Sequence, residues 1–274
     1  MLHLKTALRL WDYRELLTTL VWKEIVVRYK QAYFGLLWTV LKPVMLTLVF
    51  TLMRSFIGID SGSVPYPVLT FAALIPWVFF QEGVGLGVNS IVNNAGLVKK
   101  IYFPREVFPL VSVLTKMVEF CIDMAVLWGL MTWYGLSLTG QVVWLPLLLV
   151  YLVLTSLSVN LIGAALNVFY RDISQLLPVA ISLAMYASPI IYPLSLVKQV
   201  LLVSQSAGPH SHLLYFLYTL NPLVGIVDAF QNVLLHNRPP DMSVIWPGAM
   251  VVAVLLPISY EIFKRSEDAF ADVI

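Results

Sequence analysis

From residue 35 onward, long apolar runs closed by charged or turn residues alternate with short polar stretches. A helix crosses the hydrocarbon core of a bilayer with about 20 mostly apolar residues. Runs of that length lie at 35–57, 68–92, 107–134, 142–169, 174–195 and 244–263, which predicts an all-α integral membrane protein with six transmembrane helices. Between the last two runs the pattern changes. The stretches "LVKQVLLV" and "LLYFLYTLNPLVGIVDAFQNVLL" are apolar but are interrupted by Pro209, Pro222 and glycines. Segments too short to span and bounded by breakers fit short re-entrant or interfacial helices that line a protected cavity. Ahead of the first run, "RELLTTLVWKEIVVRYKQAY" puts Val21, Trp22, Ile25, Val26, Tyr29 and Tyr33 on one arc and Lys23 and Lys30 on another. That pattern predicts an N-terminal amphipathic helix at the membrane surface, its aromatics at headgroup depth and its lysines toward phosphates. Glu24 and Arg28, spaced i,i+4 with the acid first, are placed to pair.

Composition agrees with the pattern. With 59% hydrophobic and 12% charged residues and a mean hydropathy of +0.85, the chain cannot close around one soluble core under a polar surface. No repeat or flexible linker divides it. The expected organisation is an N-terminal cytoplasmic arm at 1–34, one transmembrane domain at 35–265 and a cytoplasmic tail at 266–274. The opening "MLHLKTALRLWDYRELLTTL" lacks an uninterrupted apolar core before a small-residue cleavage site, so no cleavable signal peptide is expected. The single cysteine, Cys121, lies in an apolar run and excludes an intrachain disulfide framework.

Loop charges orient the spans. Lys5, Arg9, Arg14, Lys23, Arg28 and Lys30 precede the first; Lys99, Lys100 and Arg105 follow the second; Arg171 follows the fourth; Lys264 and Arg265 close the sixth. The other side carries only Lys198 and Arg238, so both termini are expected in the cytoplasm. Were one of the broken segments before the last run to cross, Lys264 and Arg265 would lie outside.

Charges inside the runs need partners, because one at mid-membrane costs about 2.5 to 3.5 kcal/mol on insertion scales. Lys42, Arg54, Glu82, Lys116, Glu119, Asp123 and Glu261 are such positions. Lys42 sits near the cytoplasmic end of its run and can snorkel. Lys116, Glu119 and Asp123, at i, i+3 and i+7, share one helix face that should turn toward other helices or water. Gly83 and Gly87 have the GxxxG spacing of close helix packing. In "GLVKKIYFPREVFPL", residues 96–110, Pro104 suits the first helical position of the third run and Glu106 the third, near the positive end of the dipole.

Chemistry is sparse. No Gly-Lys dipeptide occurs, so there is no P-loop, and HExxH and GxSxG are absent. His210, His212 and His236 match no established metal spacing and read as loop residues; no catalytic or metal site is expected. Active transport by this chain would draw its energy from another subunit or a gradient.

Four segments then carry a resemblance: "WKEIVVRYKQAYFGLLWTVLKP" at 22–43, "LVKKIYFPREVFPL" at 97–110, "LNVFYRDISQLLP" at 166–178 and "SPIIYPLS" at 188–195. In this order they resemble the permease subunit of bacterial type-2 ABC exporters for O-antigen and related polysaccharides, over nearly the whole chain. The resemblance implies a six-span, multi-pass subunit of the bacterial inner membrane that pairs with a second copy of itself and with two ATPase subunits. It implies a lipid-linked polysaccharide cargo, typically on undecaprenyl pyrophosphate, and not nucleic acid. ATP and Mg would sit on the partner ATPase, with no cofactor in this chain. It also implies that Lys99, Lys100, Tyr102, Phe103, Pro104, Arg105 and Glu106 form the ATPase-coupling loop, and that Arg28, Tyr29 and Lys30 belong to the interfacial helix. The short broken helices would sit at the outer gate. Arg28, Lys30 and Lys42 are candidate cations for a lipid pyrophosphate, whose oxygens suit charge-assisted contacts. Arg171 and Asp172 match the Arg-Asp that follows the fourth span. On the residues alone, Arg171 obeys the positive-inside rule and Asp172 with Gln175 reads as a capping box. Two alternatives are an exporter of teichoic acid, capsule or other amphipathic cargo, and a membrane enzyme that uses Glu82, Glu119 or Asp123 on lipid-linked sugars.

Overall fold

The computed structural model describes residues 12–30, 33–57, 64–100, 103–138, 140–203 and 210–274. Among these residues the regular structure is helical throughout. In chain order the helices are α1 (Arg14–Tyr29), α2 (Leu37–Ile57), α3 (Tyr66–Asn93), α4 (Ala95–Lys100), α5 (Val107–Trp133), α6 (Leu145–Phe169, entered through a tight turn at Gly140–Trp144), α7 (Ile173–Tyr186), α8 (Leu194–Lys198, followed by a wide turn at Gln199–Val203), α9 (Ser211–Thr219), α10 (Pro222–Leu235), α11 (Met242–Glu267) and α12 (Phe270–Val273).

Local chemistry sets several of these ends. At the end of α5 the chain turns at Gly135, whose φ of +70° is cheap only without a Cβ. Leu136 N–H reaches back to Met131 O at 2.8 Å and Gly135 N–H to Thr132 O at 3.1 Å, the paired bonds that satisfy the last carbonyls of a helix. Helix α10 opens with Pro222 behind Asn221, whose side chain accepts from Leu223 N–H, and α11 opens with Asp241 accepting from Ser243 N–H.

The core is built around α3, which is buried along most of its length and packs against α2, α5, α6, α7 and α10. Its contact with α6 is close because small and polar residues alternate there. A Cβ on Gly87 would collide with the Asn160 side chain, and one on Gly163 would collide with Val88. Asn160 Nδ2 donates to Gly83 O at 3.3 Å and Asn167 Nδ2 to Val88 O at 3.1 Å. The GxxxG spacing thus serves the helix packing expected of it, with asparagine amides joining the helices.

Helices α2, α3 and α11, and the continuous stretch Gly140–Phe169, are long and apolar enough to cross a membrane. Helix α5 is equally long, at 27 residues, but carries Lys116, Glu119 and Asp123. Helices α9 and α10 reach spanning length only together, and they meet at 81°. The apolar run at 174–195 differs most from expectation. Its helix stops at Tyr186 after 14 residues, because Pro189 and Pro193 cannot continue it. Near the start of α3, Tyr66 Oη donates to Ile191 O at 2.8 Å and Gln231 Nε2 to Leu69 O at 3.2 Å. The segment after α7 and the helix α10 therefore meet α3 at the end remote from α4.

Candidate functional site

The sequence-predicted residues gather at one end of the bundle. After α4, Phe103 turns inward and packs on Phe108, with ring centroids 5.3 Å apart. Tyr102 lies outside the described residues. Pro104 and Arg105 form a turn, Val107 N–H bonding Pro104 O and Phe108 N–H bonding Arg105 O, each at 3.2 Å. Helix α5 therefore begins at Val107, with Glu106 at its cap and no side-chain cap bond. Pro104 is not the first helical residue, and Glu106 does not sit inside the first turn. Instead the buried Glu106 carboxylate accepts from Lys264 Nζ at 2.8 Å. A full ammonium at hydrogen-bond distance outcompetes the partial charge of a helix end.

The same loop is bound to the C-terminal segment. Arg105 N–H donates to Glu267 Oε1 at 2.9 Å, and the Arg105 guanidinium donates to Glu267 O. That guanidinium also lies 6.0 Å from the centre of the Phe270 ring, within cation–π range. Lys264 bridges Glu106 and Glu267, reaching the latter at 2.7 Å. Lys99 Nζ donates to Ile274 O at 2.7 Å, while Lys100 is exposed. Phe270 is fully buried against Phe263 and Phe169, so residues 266–274 are folded against the bundle. Lys264, Glu267 and Phe270 were not among the sequence candidates. The signal available was Lys264 and Glu267 at i,i+3, with Phe263 and Phe270 at a helical interval.

A chain of alternating charges crosses four helices nearby. Arg28 of α1 donates to Glu119 of α5 at 3.0 Å. Lys116, with 2% of its surface exposed, donates to both Glu119 and Glu82. Glu82 of α3 in turn accepts from Lys42 of α2 at 2.8 Å, and Gln81 accepts from the same ammonium at 3.3 Å. Each interior ion thus has an opposite charge on either side, which offsets the desolvation that isolates a buried charge. The buried Asp123, about one turn beyond Glu119, keeps one carboxylate oxygen without a partner.

This network also engages α1. The side packed on the bundle carries Leu16, Leu17, Leu20 and Val21, with Tyr13 just before the helix, and Trp22, on the arc assigned to the membrane surface, is 69% exposed. Glu119 needs a cation and draws Arg28 inward, away from Glu24. Tyr29 Oη shares a hydrogen bond of 3.0 Å with Thr39, and burial pushes its phenol above its ordinary pKa. Of the three candidate phosphate cations, Arg28 and Lys42 are engaged by carboxylates and Lys30 is exposed. Arg171 and Asp172 are both exposed where α6 gives way to α7. Asp172 makes no side-chain cap bond, so the expected capping box does not form. Gln175 N–H bonds the main-chain oxygen of Asp172 at 3.0 Å instead. Among the described residues no group of histidine, cysteine or acid side chains could hold a metal ion.

Residues 15–235, most of the chain and all of this polar network, match the ABC-2 type transporter family. The chain belongs to the ABC-2 type transporter family. It is 31% identical over 266 residues to an O-antigen export system permease protein RfbA of Myxococcus xanthus, covering 97% of each protein. It is 26% identical to an RfbA permease of Klebsiella pneumoniae, covering 95% of each. A shorter likeness, 28% identity over 109 residues and 38% of each chain, is to the capsule polysaccharide export inner-membrane protein CtrC of Neisseria meningitidis. Membership of the ABC-2 family makes this a transport permease. The loop at 99–106 and the charge network are then parts of a transporter, not of an enzyme active site.

Proposed function

We propose that the chain is the channel-forming permease of an ATP-driven exporter that moves a lipid-linked O-antigen polysaccharide across the bacterial inner membrane. Two copies form the channel and two ATPase subunits drive it from the cytoplasm. The observation that carries this reading is the end-to-end likeness to O-antigen export permeases, 97% of both chains in one case.

The topology that goes with it has six crossings. Phe270 packs on Phe169 with ring centroids 6.2 Å apart, so the ends of α6 and α11 lie together beside the 99–106 loop. An even number of crossings therefore separates Phe169 from Glu267. Helix α11 supplies one, and one more is needed. The contact of Ile191 with Tyr66 supports α7 and the bend after it as that crossing. Helices α9 and α10 then start and finish on the outer side as a re-entrant pair, and the N-terminal arm and the C-terminal segment are cytoplasmic. The charged face of α5 is turned into the bundle, where Lys116, Glu119 and Asp123 are buried, which supports α5 as a span despite its charge.

In this mechanism closure of the ATPase subunits pushes on α1 and on the loop at 99–106, and the channel between the two copies opens. Exposed Lys30 meets the pyrophosphate first. Arg28 and Lys42 join only by exchanging Glu119 and Glu82 for phosphate oxygens. The partial likeness to CtrC favours one second reading, a capsule-type polysaccharide as cargo.

The test is co-purification with a candidate partner ATPase, followed by ATP-dependent translocation of undecaprenyl-pyrophosphate-linked O-antigen into inverted vesicles. We expect export by the wild type and its loss in the Lys99→Glu/Lys100→Glu variant. Undiminished export by that variant with ATPase binding unchanged would remove the loop from the mechanism. Turnover of a lipid-linked sugar by the permease alone would replace the exporter by an enzyme.

A further inference from the structure

Helix α11 is fastened at both ends to the two regions that an exporter must move together. At the loop end, Lys264 and Glu267 hold Glu106 and Arg105 through the contacts described above. At the other end, Asp241, its N-cap, accepts from Lys198 of α8 at 2.9 Å, and Ser243 holds the same carboxylate through its N–H at 3.1 Å and its hydroxyl at 2.6 Å. Burial alone raises the Asp241 pKa, and the hydrogen bonds from Ser243 and Lys198 outweigh it and hold the carboxyl below its ordinary value.

Contact with the broken helices is also tight. A Cβ on Gly225 of α10 would lie 3.0 Å from Ile245 Cα and 3.1 Å from Val244 O, and one on Gly248 of α11 would lie 2.7 Å from Pro222 Cα. Leu194, Val224 and Val244 form a small buried cluster joining α8, α10 and α11. The 26 residues of α11 span about 39 Å at 1.5 Å per residue. Pro247 and Pro257 interrupt its hydrogen bonding, but α11 packs extensively against α6, which limits bending at those breaks.

We propose that α11 is a rod that carries displacement of the 99–106 loop to the outer broken helices, with Lys264 and Glu267 as positioning residues at one end and Lys198 and Asp241 at the other. This rests on the exporter reading given above. The outer pair is the informative one to alter, since both side chains are partly exposed; Lys198 also faces the Asp228 carboxylate of α10, so Asp241→Asn, which leaves that cation in place, is the cleaner of the two replacements.

The experiment uses the full permease–ATPase complex in vesicles, with undecaprenyl-pyrophosphate-linked O-antigen as the probe, and reads export per ATP hydrolysed. Lys198→Met and Asp241→Asn should each lower that ratio between about two- and thirtyfold, the range of coupling changes along such networks, with ATPase binding and hydrolysis retained. An unchanged ratio in the single variants overturns the rod. A second readout is independent of turnover. In a Cys121→Ser background, spin labels at Leu213→Cys on α9 and Leu147→Cys on α6 should change separation on ATP binding, and Asp241→Asn should abolish the change. Its persistence in that variant overturns the proposal. A wild-type complex that hydrolyses ATP without exporting this probe counts against the exporter reading instead, and in that case the spin-label readout alone decides the rod.

Discussion

Lys116 is the residue on which most local charge depends, since Glu82 and Glu119, from different helices, both bind it. Removing it leaves two carboxylates facing each other at a largely buried site. A buried charge left wholly uncompensated costs about 3 to 5 kcal/mol, and the loss here is smaller because Glu119 keeps Arg28 and Glu82 keeps Lys42. We therefore expect Lys116→Met to lower the thermal unfolding midpoint of the detergent-solubilised protein, and addition of Glu119→Gln to recover part of the loss. Arg265→Gln is the control. Its pair with Glu261 is exposed, and exposed pairs contribute about 0 to 1 kcal/mol. The i,i+3 relation of Lys116 and Glu119 was legible in the sequence because it is local. The roles of Arg28, Lys42 and Glu82 were not, because their partners lie 34 to 91 positions away and no local periodicity carries such a distance. The need for partners was legible all the same, from the cost of a charge in an apolar run.

Helices show the same division between local and distant causes. The Gly83/Gly87 spacing indicated a close approach, and α6 makes it. The spacing did not indicate that the approaching side chain is Asn160, held in place by Gly83 O. A Cβ at Gly87 displaces that amide, whereas one at Gly85 meets open space. We expect Gly87→Ala to destabilise by about 1 to 3 kcal/mol, as overpacking does, and Gly85→Ala to be neutral or stabilising by up to about 1 kcal/mol, the difference in helix propensity. Parallel thermal scans would check this, and equal scans for the two variants would exclude Asn160 as the reason for the glycine. For α1, a helical wheel located the apolar arc with Trp22 but not the side that packs on the bundle. That side joins an apolar cluster and adds the bond of Arg28 to a buried carboxylate on another helix, which a wheel does not contain. The end of α7 followed from Pro189 and Pro193. The fold of Phe270 over the loop rests on Phe263, close by in the sequence, and on Phe169, about a hundred residues earlier, and only the first contact was within reach of a local pattern.

At the scale of the whole molecule, the sequence pointed to an all-α membrane protein with six crossings, 174–195 the fifth of them, and left open the exact path of residues 196–243. Hydropathy cannot decide between a 14-residue helix and a bent pair that reaches spanning length only in sum. Contacts narrow the choice. Asp241 begins α11 at the end where Lys198 of α8 meets it, and Gln231 of α10 bonds Leu69 near the start of α3. If α9 and α10 crossed as one span, with α7 crossing as well, α11 would run the opposite way and Lys264 would be on the opposite side from Glu106, its partner at 2.8 Å. Single cysteines in a Cys121→Ser background distinguish the two arrangements. Residues 100, 171 and 265, replaced one at a time, should react with a membrane-impermeant maleimide only in inverted vesicles, and residues 213 and 238 only in right-side-out ones. Labelling of position 265 from outside would break the pairing of α11 with the 99–106 loop and, with it, the proposed route from an ATPase to the broken helices.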